Sequence, residues 1–478
     1  MNIEKFDNRF FSYNVFIGDA TTKNKRLLTA DTISNLTITD NIFIPFISGS
    51  IKINNTRDIL QADVDKQRAL NFAGNNRDYL AIDIMPNVSG NLKNDYNNDA
   101  LRKAFGLTYV FCINELQDSD DNASNINMMN FRDIKHQIAI ENSDLFSSAQ
   151  LVQKKNPNVD LRDMNNSERS ILTGELLKDI ILRTYGIDAG EEDKIIDVAN
   201  FDLGAAKIMW YSRSTSNAFQ SMMYVNSLHQ SEKDKDPCLF YYDYSINKFR
   251  NISFAKLFEL QKTNPEEYVL ETFIVGSGAG AKDNAPDNNF GTRMRTMSNI
   301  LEHKLSPLNG NEFTRSITNN VFTTIFPSDK NFYFNCEDGS IKNVLKDFSK
   351  LYVDPFKNTS PNIKPSVELA DIENYNFLKP KIITNTLPLE YNSIVRNNML
   401  MDLIISGGDN IVFRTIGSTH RRSGHFIDIA TESDIAGSGV DNNLIGRWFI
   451  ISVSHVFMGN SYYNIIEAVK TYKFEQTK

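Results

Sequence analysis

A glycine-rich run at residues 276–280 (GSGAG) directly follows an apolar segment that ends at Val275. Such runs can bind phosphate through backbone N–H groups. A dinucleotide-binding fingerprint requires a third glycine where this chain has Ala281, and both that fingerprint and the P-loop continue into a helix. This chain continues instead with KDNAPDNN. Residues 276–289 are therefore interpreted as a surface loop or linker, and no nucleotide site is predicted.

Two histidines, five positions apart, lie in the run 419–425 (THRRSGH). This spacing brings two imidazoles together only on a helix, whereas Gly417 and Gly424 predict a loop, and no HExxH motif or third Cys or His ligand accompanies them. The run also contains Arg421 and Arg422, which form a local cluster of positive charge. We interpret the run as a solvated loop, with contact to an anion or to a channel lumen as the alternative, and we predict no metal site.

The other candidates for catalysis do not form a recognisable constellation. His455 lies on the apolar face of a predicted strand, and no serine or cysteine nucleophile motif surrounds it, so we interpret it as a hydrogen-bonded structural histidine. Acidic pairs such as Glu191 and Glu192 lie in charge-rich stretches and are interpreted as solvated. The three cysteines have no CxxC spacing and predict neither a disulfide framework nor a zinc site. The sequence therefore predicts no enzyme and no cofactor.

The composition excludes several classes of protein. The 478 residues include 51 Lys and Arg against 59 Asp and Glu, which gives a net charge of −8 and argues against a general nucleic-acid binder. A hydrophobic content of 41% with 23% charged residues is typical of a folded protein, of about three domains at this length. No apolar run approaches the roughly 18 to 20 residues of a membrane span, and no signal peptide is recognisable.

Strand patterns occur near the start of the chain. Residues 33–53 are short runs rich in Ile, Phe and Thr that alternate with turn residues, and residues 107–116 form a further predicted strand. Residues 134–140 are also predicted as a strand, because four of them share one face at a period of two. These four are Ile134, His136, Ile138 and Ile140. The first 150 residues therefore predict a β domain, with a polar loop at residues 86–99.

The middle of the chain changes to a helical period. Residues 171–181 repeat apolar side chains at helical spacing before Gly186, and a second helix is predicted at residues 216–230. Residues 239–254 predict a β-hairpin that leads into a short helix near residues 254–260. This region is therefore predicted to be mixed α and β.

The last 90 residues again predict strands. Apolar residues alternate through residues 399–405, a turn follows, and a return strand runs through Ile411 and Phe413. A hairpin ends the chain, with strands at residues 446–457 and 462–472 around the turn MGNS. We therefore predict a β-dominated α+β fold. The predicted domains are an N-terminal β domain (1–155), a mixed α/β middle domain that can contribute strands to the second β domain (156–265), a linker and insertion region (266–388) and a C-terminal β domain (389–478).

The C-terminal hairpin resembles a known family. The run 446–457 (GRWFIISVSHVF), followed by 462–466 (YYNII), resembles the closing strands of central baseplate hub proteins of contractile-tailed, T-even-like phages, which are related to the hub part of contractile secretion spike proteins. Residues 407–411 (GGDNI) are similar to the Gly-Asp turn before those strands. Residues 217–258 resemble the middle region of the family, and residues 47–53 (ISGSIKI) resemble its first tube-like domain.

The resemblance implies a structural function. In each subunit two tube-like antiparallel β-barrel domains with mixed α/β insertions would form, and a homotrimer would adapt a sixfold tail tube to a threefold spike. The implied partners are the tail tube protein or a tube initiator, the central spike protein and a tape measure protein, with DNA passing through the lumen without specific binding. The implied location is the virion tail baseplate, assembled in the host cytoplasm. The candidate structural and interface residues are Trp448, His455, Tyr462, Tyr463, Asp409, Arg421 and Arg422.

Two alternatives remain open at this point. A β-rich receptor- or glycan-binding tail module would present exposed aromatic side chains in a groove. A cell-wall hydrolase would place its catalytic groups within residues 290–388, where the pattern of the sequence is weakest.

Overall fold

The computed structural model of the chain forms two compact units. The first consists of Met1–Gln137, Glu266–Lys304 and Ile411–Val469, and the second of Ile138–Pro265, Leu305–Asn410 and Lys470–Lys478. The structure describes residues 11–19, 25–28, 32–54, 78–86, 107–118, 126–143, 147–158, 160, 162–165, 168–204, 207–212, 216–229, 231–232, 238–244, 246–275, 299–304, 332–335, 340–343, 409–431, 444–458 and 461–470.

Strands outnumber helices among the described elements, which confirms the predicted β-dominated α+β fold. The strands are β1 (Phe11–Asp19), β2 (Lys25–Leu28), β3 (Ile33–Asn41), β4 (Ile44–Asn54), β5 (Asp78–Pro86), β6 (Leu107–Asp118), β7 (Ile126–Asp133), β8 (Ile171–Leu172), β9 (Ile196–Phe201), β10 (Lys207–Ile208), β11 (Cys238–Asp243), β12 (Lys248–Ser253), β13 (Val269–Val275), β14 (Asn299–Lys304), β15 (Phe332–Asn335), β16 (Ser340–Asn343), β17 (Asp409–Ile416), β18 (Phe426–Thr431), β19 (Gly446–Met458) and β20 (Ser461–Lys470). The helices are α1 (Ile134–Glu141), α2 (Ser148–Lys155), α3 (Thr173–Tyr185), α4 (Ala218–Ser227), α5 (Phe254–Thr263) and α6 (Pro265–Tyr268).

A 13-stranded sheet dominates the first unit. Its strand order is β14-β17-β20-β19-β3-β4-β7-β6-β5-β1-β2, while β18 pairs with β19, and β13 pairs with β18. Every described pairing within β1 to β7 is antiparallel, whereas β13 and β18 run parallel. Strands from the two ends of the chain therefore lie in one sheet.

The two ends meet where β3 pairs antiparallel with β19. Ser454 lies opposite Thr39, and His455 lies opposite Ile38. On its other side β19 pairs with β20, and its first residues pair with β18. Most side chains of β19 are buried on both faces of the sheet, which explains its near-continuous apolar sequence.

Alternation along β3 shows how the sequence sets the two faces of the sheet. Leu36 and Ile38 are fully buried, whereas Thr37 and Thr39 point to the other face and are partly exposed.

A separate apolar cluster packs beneath the C-terminal strands. It consists of Phe273, Ile411, Phe413, Ile427, Ile429, Leu444, Trp448, Ile450, Val453, Ile466 and Ala468.

The strand predicted at residues 134–140 is wrong, because this segment forms helix α1. The Oδ1 atom of Asp133 accepts a hydrogen bond from the backbone N–H of Lys135 (2.6 Å), as a helix N-cap does. Ile134 and Ile138 are four residues apart, so the same apolar residues also satisfy a helical repeat. The local cap therefore decides between the two periods.

The second unit contains the predicted helices and hairpin. Helix α3 ends at Gly186, which adopts the left-handed conformation (φ 65°) expected of a C-terminal glycine. Helix α4 begins after Asn217, which forms a capping box with Gln220. Strands β11 and β12 form the predicted hairpin, and Asn247 in its turn has a φ of 55°. Helix α5 follows, as predicted from the sequence.

Several expectations concern residues outside the described ranges. These are the loop at residues 86–99 beyond Pro86, the linker at 276–289 and the alternating run 399–405. Residues 266–275, which we assigned to the linker and insertion region, form most of helix α6 and the strand β13. Across the described ranges, no helix has the length and apolar character needed to span a membrane.

Candidate interaction surface

The loop between β17 and β18 encloses a buried arginine. The Arg421 side chain is fully buried, and its Nε and Nη2 atoms donate to the two carboxylate oxygens of Glu271 on β13, with an Nη2 to Oε2 distance of 3.1 Å. Its Nη1 atom donates to the Ile416 carbonyl and to Asn464 Oδ1 (3.0 Å). A bidentate pair with further acceptors compensates for the desolvation of the guanidinium.

This geometry corrects the prediction that residues 419–425 form a solvated loop. Arg421 is inaccessible to solvent, and Thr419, Ser423 and His425 are also buried. The prediction failed because the acid that neutralises Arg421 lies 150 residues earlier in the chain. A lone Glu271 within an apolar strand was the signal in the sequence, since a charge in such a position requires a partner.

His455 belongs to the same polar cluster. Its Nδ1 atom lies 2.8 Å from the Tyr462 hydroxyl and 3.0 Å from Asn464 Nδ2. Burial, together with the positive charges of Arg422 and Arg421, lowers the pKa of His455 to about 3, so the imidazole is neutral near pH 7. Through Asn464 the cluster joins His455 and Tyr462 to Arg421, three of the residues singled out from the sequence.

A second contact ties the loop to the N-terminal strands. The carboxylate of Asp40 on β3 accepts hydrogen bonds from the backbone N–H (2.9 Å) and hydroxyl (2.8 Å) of Ser423. Burial raises the pKa of Asp40, although these two bonds and the charge of Arg422 act in the opposite direction. The β17–β18 loop therefore fastens the C-terminal strands to β3 beside the β3–β19 pairing.

The remaining candidate residues have different surroundings. Trp448 is fully buried, and its Nε1 atom donates to the Leu444 carbonyl (2.8 Å). Tyr463 is partly exposed, and the guanidinium of Arg414 lies 3.8 Å from its ring centroid. Asp409 is the first residue of β17, and Arg422 is partly exposed at the junction with β3.

The opposite face of the N-terminal strands is polar. A groove of about 480 Å³ lies on it, lined mostly by hydroxyl and amide side chains, and Arg132 is the one side chain with a permanent charge among its lining residues. Burial and the neighbouring charge of Arg132 lower the pKa of His136, another lining residue, to about 4. Two cross-strand rows form its floor, Thr37 with Ser50 and Asn130, and Thr39 with Ser48 and Arg132.

Gly49 lies between Ser48 and Ser50 on β4 and faces the buried side of the sheet, opposite Ile38 and Phe131. A Cβ atom at this position would clash with the carbonyl oxygen of Thr37 and would lie 2.6 Å from the ring of Phe131. The absence of a side chain lets the buried Phe131 ring cover the strand at this point.

The described part of the first unit contains no group of three His, Cys, Asp or Glu donors placed to share a metal ion. With Arg132 as the one permanently charged side chain in its lining, the groove offers hydrogen bonds but little charge.

No protein-family model and no curated protein matches the sequence. Solved structures similar to the chain include the 43 kDa tail protein of prophage MuSo2 from Shewanella oneidensis, at 10% identity over 96% of this chain and 99% of that chain, with a TM-score of 0.43. The tail protein from Neisseria meningitidis MC58 is similar at 8% identity over 96% of each chain, with a TM-score of 0.41. A chain of the lidded Francisella PdpA-VgrG complex is similar at 10% identity over 98% of this chain and 55% of that chain, with a TM-score of 0.42.

Proposed function

We propose that the protein is a structural component of a phage tail baseplate. In this proposal it forms a trimeric central hub ring that adapts the sixfold tail tube to the threefold spike and leaves a channel for DNA. The observation that carries the proposal is the single sheet in which β1–β7 and the C-terminal strands lie side by side through the β3–β19 pairing. Each subunit would then supply two β halves, one formed by β1–β7 and one by the C-terminal strands. Three subunits could present six such halves around a ring.

The polar face of β3, β4 and β7 suits the wall of the channel. Hydroxyl and amide groups hold water and bind a passing polymer weakly, and the groove lacks the row of cationic side chains that would bind DNA phosphates. The chain also carries a net charge of −8, which adds a general repulsion of DNA. We therefore propose that DNA passes this face without specific binding.

The ends of the sheet suit contacts between subunits. In a ring of identical chains each subunit uses two different surfaces, one for each neighbour. At one end of the described strand order Leu27 on β2 is 49% exposed, and at the other end Leu301 on β14 is 54% exposed. We propose that these two ends meet between neighbouring subunits, with the domain boundaries predicted from the sequence (1–155, 156–265, 266–388 and 389–478).

The proposed partners follow from the ring. The side with six β halves would bind the tail tube protein or a tube initiator, the threefold side would bind the central spike protein, and a tape measure protein would contact the channel. The protein would act through these interfaces and not by catalysis. Its place would be the virion tail, after assembly in the host cytoplasm.

Negative-stain electron microscopy combined with light scattering tests the ring directly. We expect particles with threefold symmetry, a central hole and the mass of three 54.4 kDa chains. The substitution Leu301→Lys should abolish the rings by placing a charge in the contact. Val198→Lys is the matched control, because Val198 is 56% exposed but belongs to the second unit. Monomers at every concentration, with or without the spike protein, would contradict the proposal.

A further inference from the structure

Three potential metal ligands converge in the second unit. Asp202 follows β9, His229 follows helix α4, and Cys238 is the first residue of β11. One ligand atom from each lies within 4.8 Å of the other two, and Asp202 Oδ1 is 3.3 Å from His229 Nε2. Neighbouring oxygen and nitrogen ligands of a tetrahedral zinc ion are about 3.4 Å apart, given bond lengths of about 2.0 to 2.2 Å. From this geometry we propose that Asp202, His229 and Cys238 bind a zinc ion.

The burial of the three residues suits an ion with three protein ligands and one bound water. His229 and Cys238 are 2% and 5% exposed, whereas the Asp202 side chain is 21% exposed. The nitrogen and sulfur ligands are thus shielded from solvent, and the carboxylate side stays open to water. Nitrogen, sulfur and carboxylate oxygen together form a ligand set that favours zinc over magnesium or calcium, which prefer oxygen alone.

Surrounding groups hold the imidazole in the orientation that the ion needs. The Thr173 hydroxyl lies 2.9 Å from His229 Nδ1, so it can accept the Nδ1 proton and leave the Nε2 lone pair facing Asp202 and Cys238. Gly204, with a φ of +85°, provides the space for this contact. A Cβ atom there would lie 2.6 Å from Thr173 Oγ1 and 2.8 Å from His229 Cε1.

The carboxylate is held in a similar way. Asp202 Oδ1 accepts backbone hydrogen bonds from Gly204 (2.7 Å) and Glu232 (3.1 Å). Its second carboxylate oxygen takes part in neither of these bonds.

Asn251 supplies an independent observation that points to a ligand. His229 Nε2 lies 3.1 Å from Asn251 Nδ2, which is a donor, and 3.3 Å from Asp202 Oδ1, which is an acceptor. Neither protonation state of Nε2 satisfies both neighbours. Asn251 is also fully buried, and its Oδ1 atom has no hydrogen-bond partner in the described structure. A cation bound to Nε2 and to the Asp202 carboxylate removes this conflict, and Asn251 Nδ2 still donates to the Asp202 backbone carbonyl (3.2 Å).

The proposed ion would link β9, α4 and β11, and so stabilise the mixed α/β unit. This role does not depend on the ring proposed above. Zinc binding to the folded state alone would raise the melting temperature of this unit in proportion to the logarithm of the zinc concentration.

Cobalt substitution tests the site in the full-length protein. The protein is stripped with a chelator and titrated with Co²⁺, whose bond to a thiolate gives a charge-transfer absorption band. We expect one equivalent of Co²⁺ per chain, this band, and its loss when Zn²⁺ is added. Cys238→Ser should abolish the band, whereas Cys112→Ser, which changes a buried cysteine of the first unit, should leave it unchanged. A wild-type protein without the band, or a band that persists in Cys238→Ser, would overturn the proposal.

A second variant keeps the test valid if Cys238→Ser does not fold. Thr173→Val removes only the hydroxyl that orients His229, so we expect the same stoichiometry with an affinity for Co²⁺ about 10- to 100-fold lower. Circular dichroism of the metal-free variant checks that its fold is intact. Unchanged affinity in a folded Thr173→Val protein would count against His229 as a ligand.

Discussion

At the scale of single residues, the first unit buries the ion pair of Arg421 and Glu271. Arg421 has no contact with solvent, and both carboxylate oxygens of Glu271 accept from its guanidinium. Removing one partner of a buried pair leaves an uncompensated charge, which costs far more than the pair contributes as a whole. Such a pair fixes one conformation of the β17–β18 loop. The cost of removing one partner can be measured as a change in the free energy of unfolding.

Arg421→Met should lower the free energy of unfolding by about 3 to 5 kcal/mol, because Glu271 stays buried without its partner. The double variant Arg421→Met/Glu271→Leu should recover most of this loss. Lys155→Met is the control: it removes an exposed ion pair with Glu175 and should cost at most about 1 kcal/mol. Urea denaturation measures all three. Equal losses in the single and double variants would show that the charge pair is not the source of the effect.

His455 predicts a dependence of stability on pH. Its pKa is about 3 in the folded protein and about 6.5 when unfolded. Between these values the unfolded chain binds a proton that the folded protein does not, so stability falls as the pH falls from 6.5 towards 3, by about 1.4 kcal/mol per pH unit. Above pH 6.5 the residue contributes no pH dependence. His455→Gln should reduce the slope by this amount in unfolding curves measured from pH 7 to pH 5, and an unchanged slope would contradict the buried neutral imidazole.

At the scale of elements, the sequence pattern predicts the hairpins, because their strands are neighbours in the chain. The hairpin of β19 and β20 follows from two apolar runs around MGNS, and the β11–β12 hairpin from aromatic residues around a turn. Helix α1 was missed because Ile134 and Ile138 fit both a strand and a helix, and the cap by Asp133 decides. The pairing of β13 with β18, and of β3 with β19, joins residues more than 150 positions apart, so no local pattern could reveal it.

The same limit applies to the sites. Arg421 and His455 were recognised from the sequence, but their partners Glu271 and Asn464 were not, because the partners come from other strands. The group of Asp202, His229 and Cys238 was missed because its spacing matches no zinc motif and the fold alone brings it together. Part of the polar face of the sheet could be predicted from the sequence, because Thr37 and Thr39 alternate with apolar residues that are buried.

The β3–β19 pairing should be sensitive to a single proline. Ser454 lies in the middle of β19, opposite Thr39 on β3 and Ile465 on β20. Ser454→Pro removes a backbone donor from a strand with neighbours on both sides and should destabilise the first unit by about 3 kcal/mol or more. Ser454→Ala is the control, since it loses only the side-chain contact with Thr39 (3.3 Å) and should stay within about 1 kcal/mol. Thermal unfolding measures the stability of both variants. Similar melting temperatures for Ser454→Pro and Ser454→Ala would contradict the β3–β19 pairing at this position.

At the scale of the whole molecule, each compact unit has its own apolar core. Trp448 is a fully buried member of the C-terminal cluster of the first unit, and Met222 is fully buried in helix α4 of the second. The N-terminal and C-terminal strands share one sheet, so the first unit should unfold as a whole although its segments are distant in sequence. The second unit, with separate small sheets and helices, is expected to unfold in its own transition.

Differential scanning calorimetry can separate these two transitions by their response to core substitutions. Trp448→Ala should destabilise the first unit by about 3 to 5 kcal/mol, and Met222→Ala should destabilise the second by about 2 to 5 kcal/mol, each through a cavity in one core. Each variant should therefore shift one transition and leave the other in place. Lowering the pH from 7 to 5 should shift the transition sensitive to Trp448→Ala through His455, and added Zn²⁺ the one sensitive to Met222→Ala. If every change moved both transitions together, the two units would fold as one cooperative body, and the sheet would not be an independent framework for a ring.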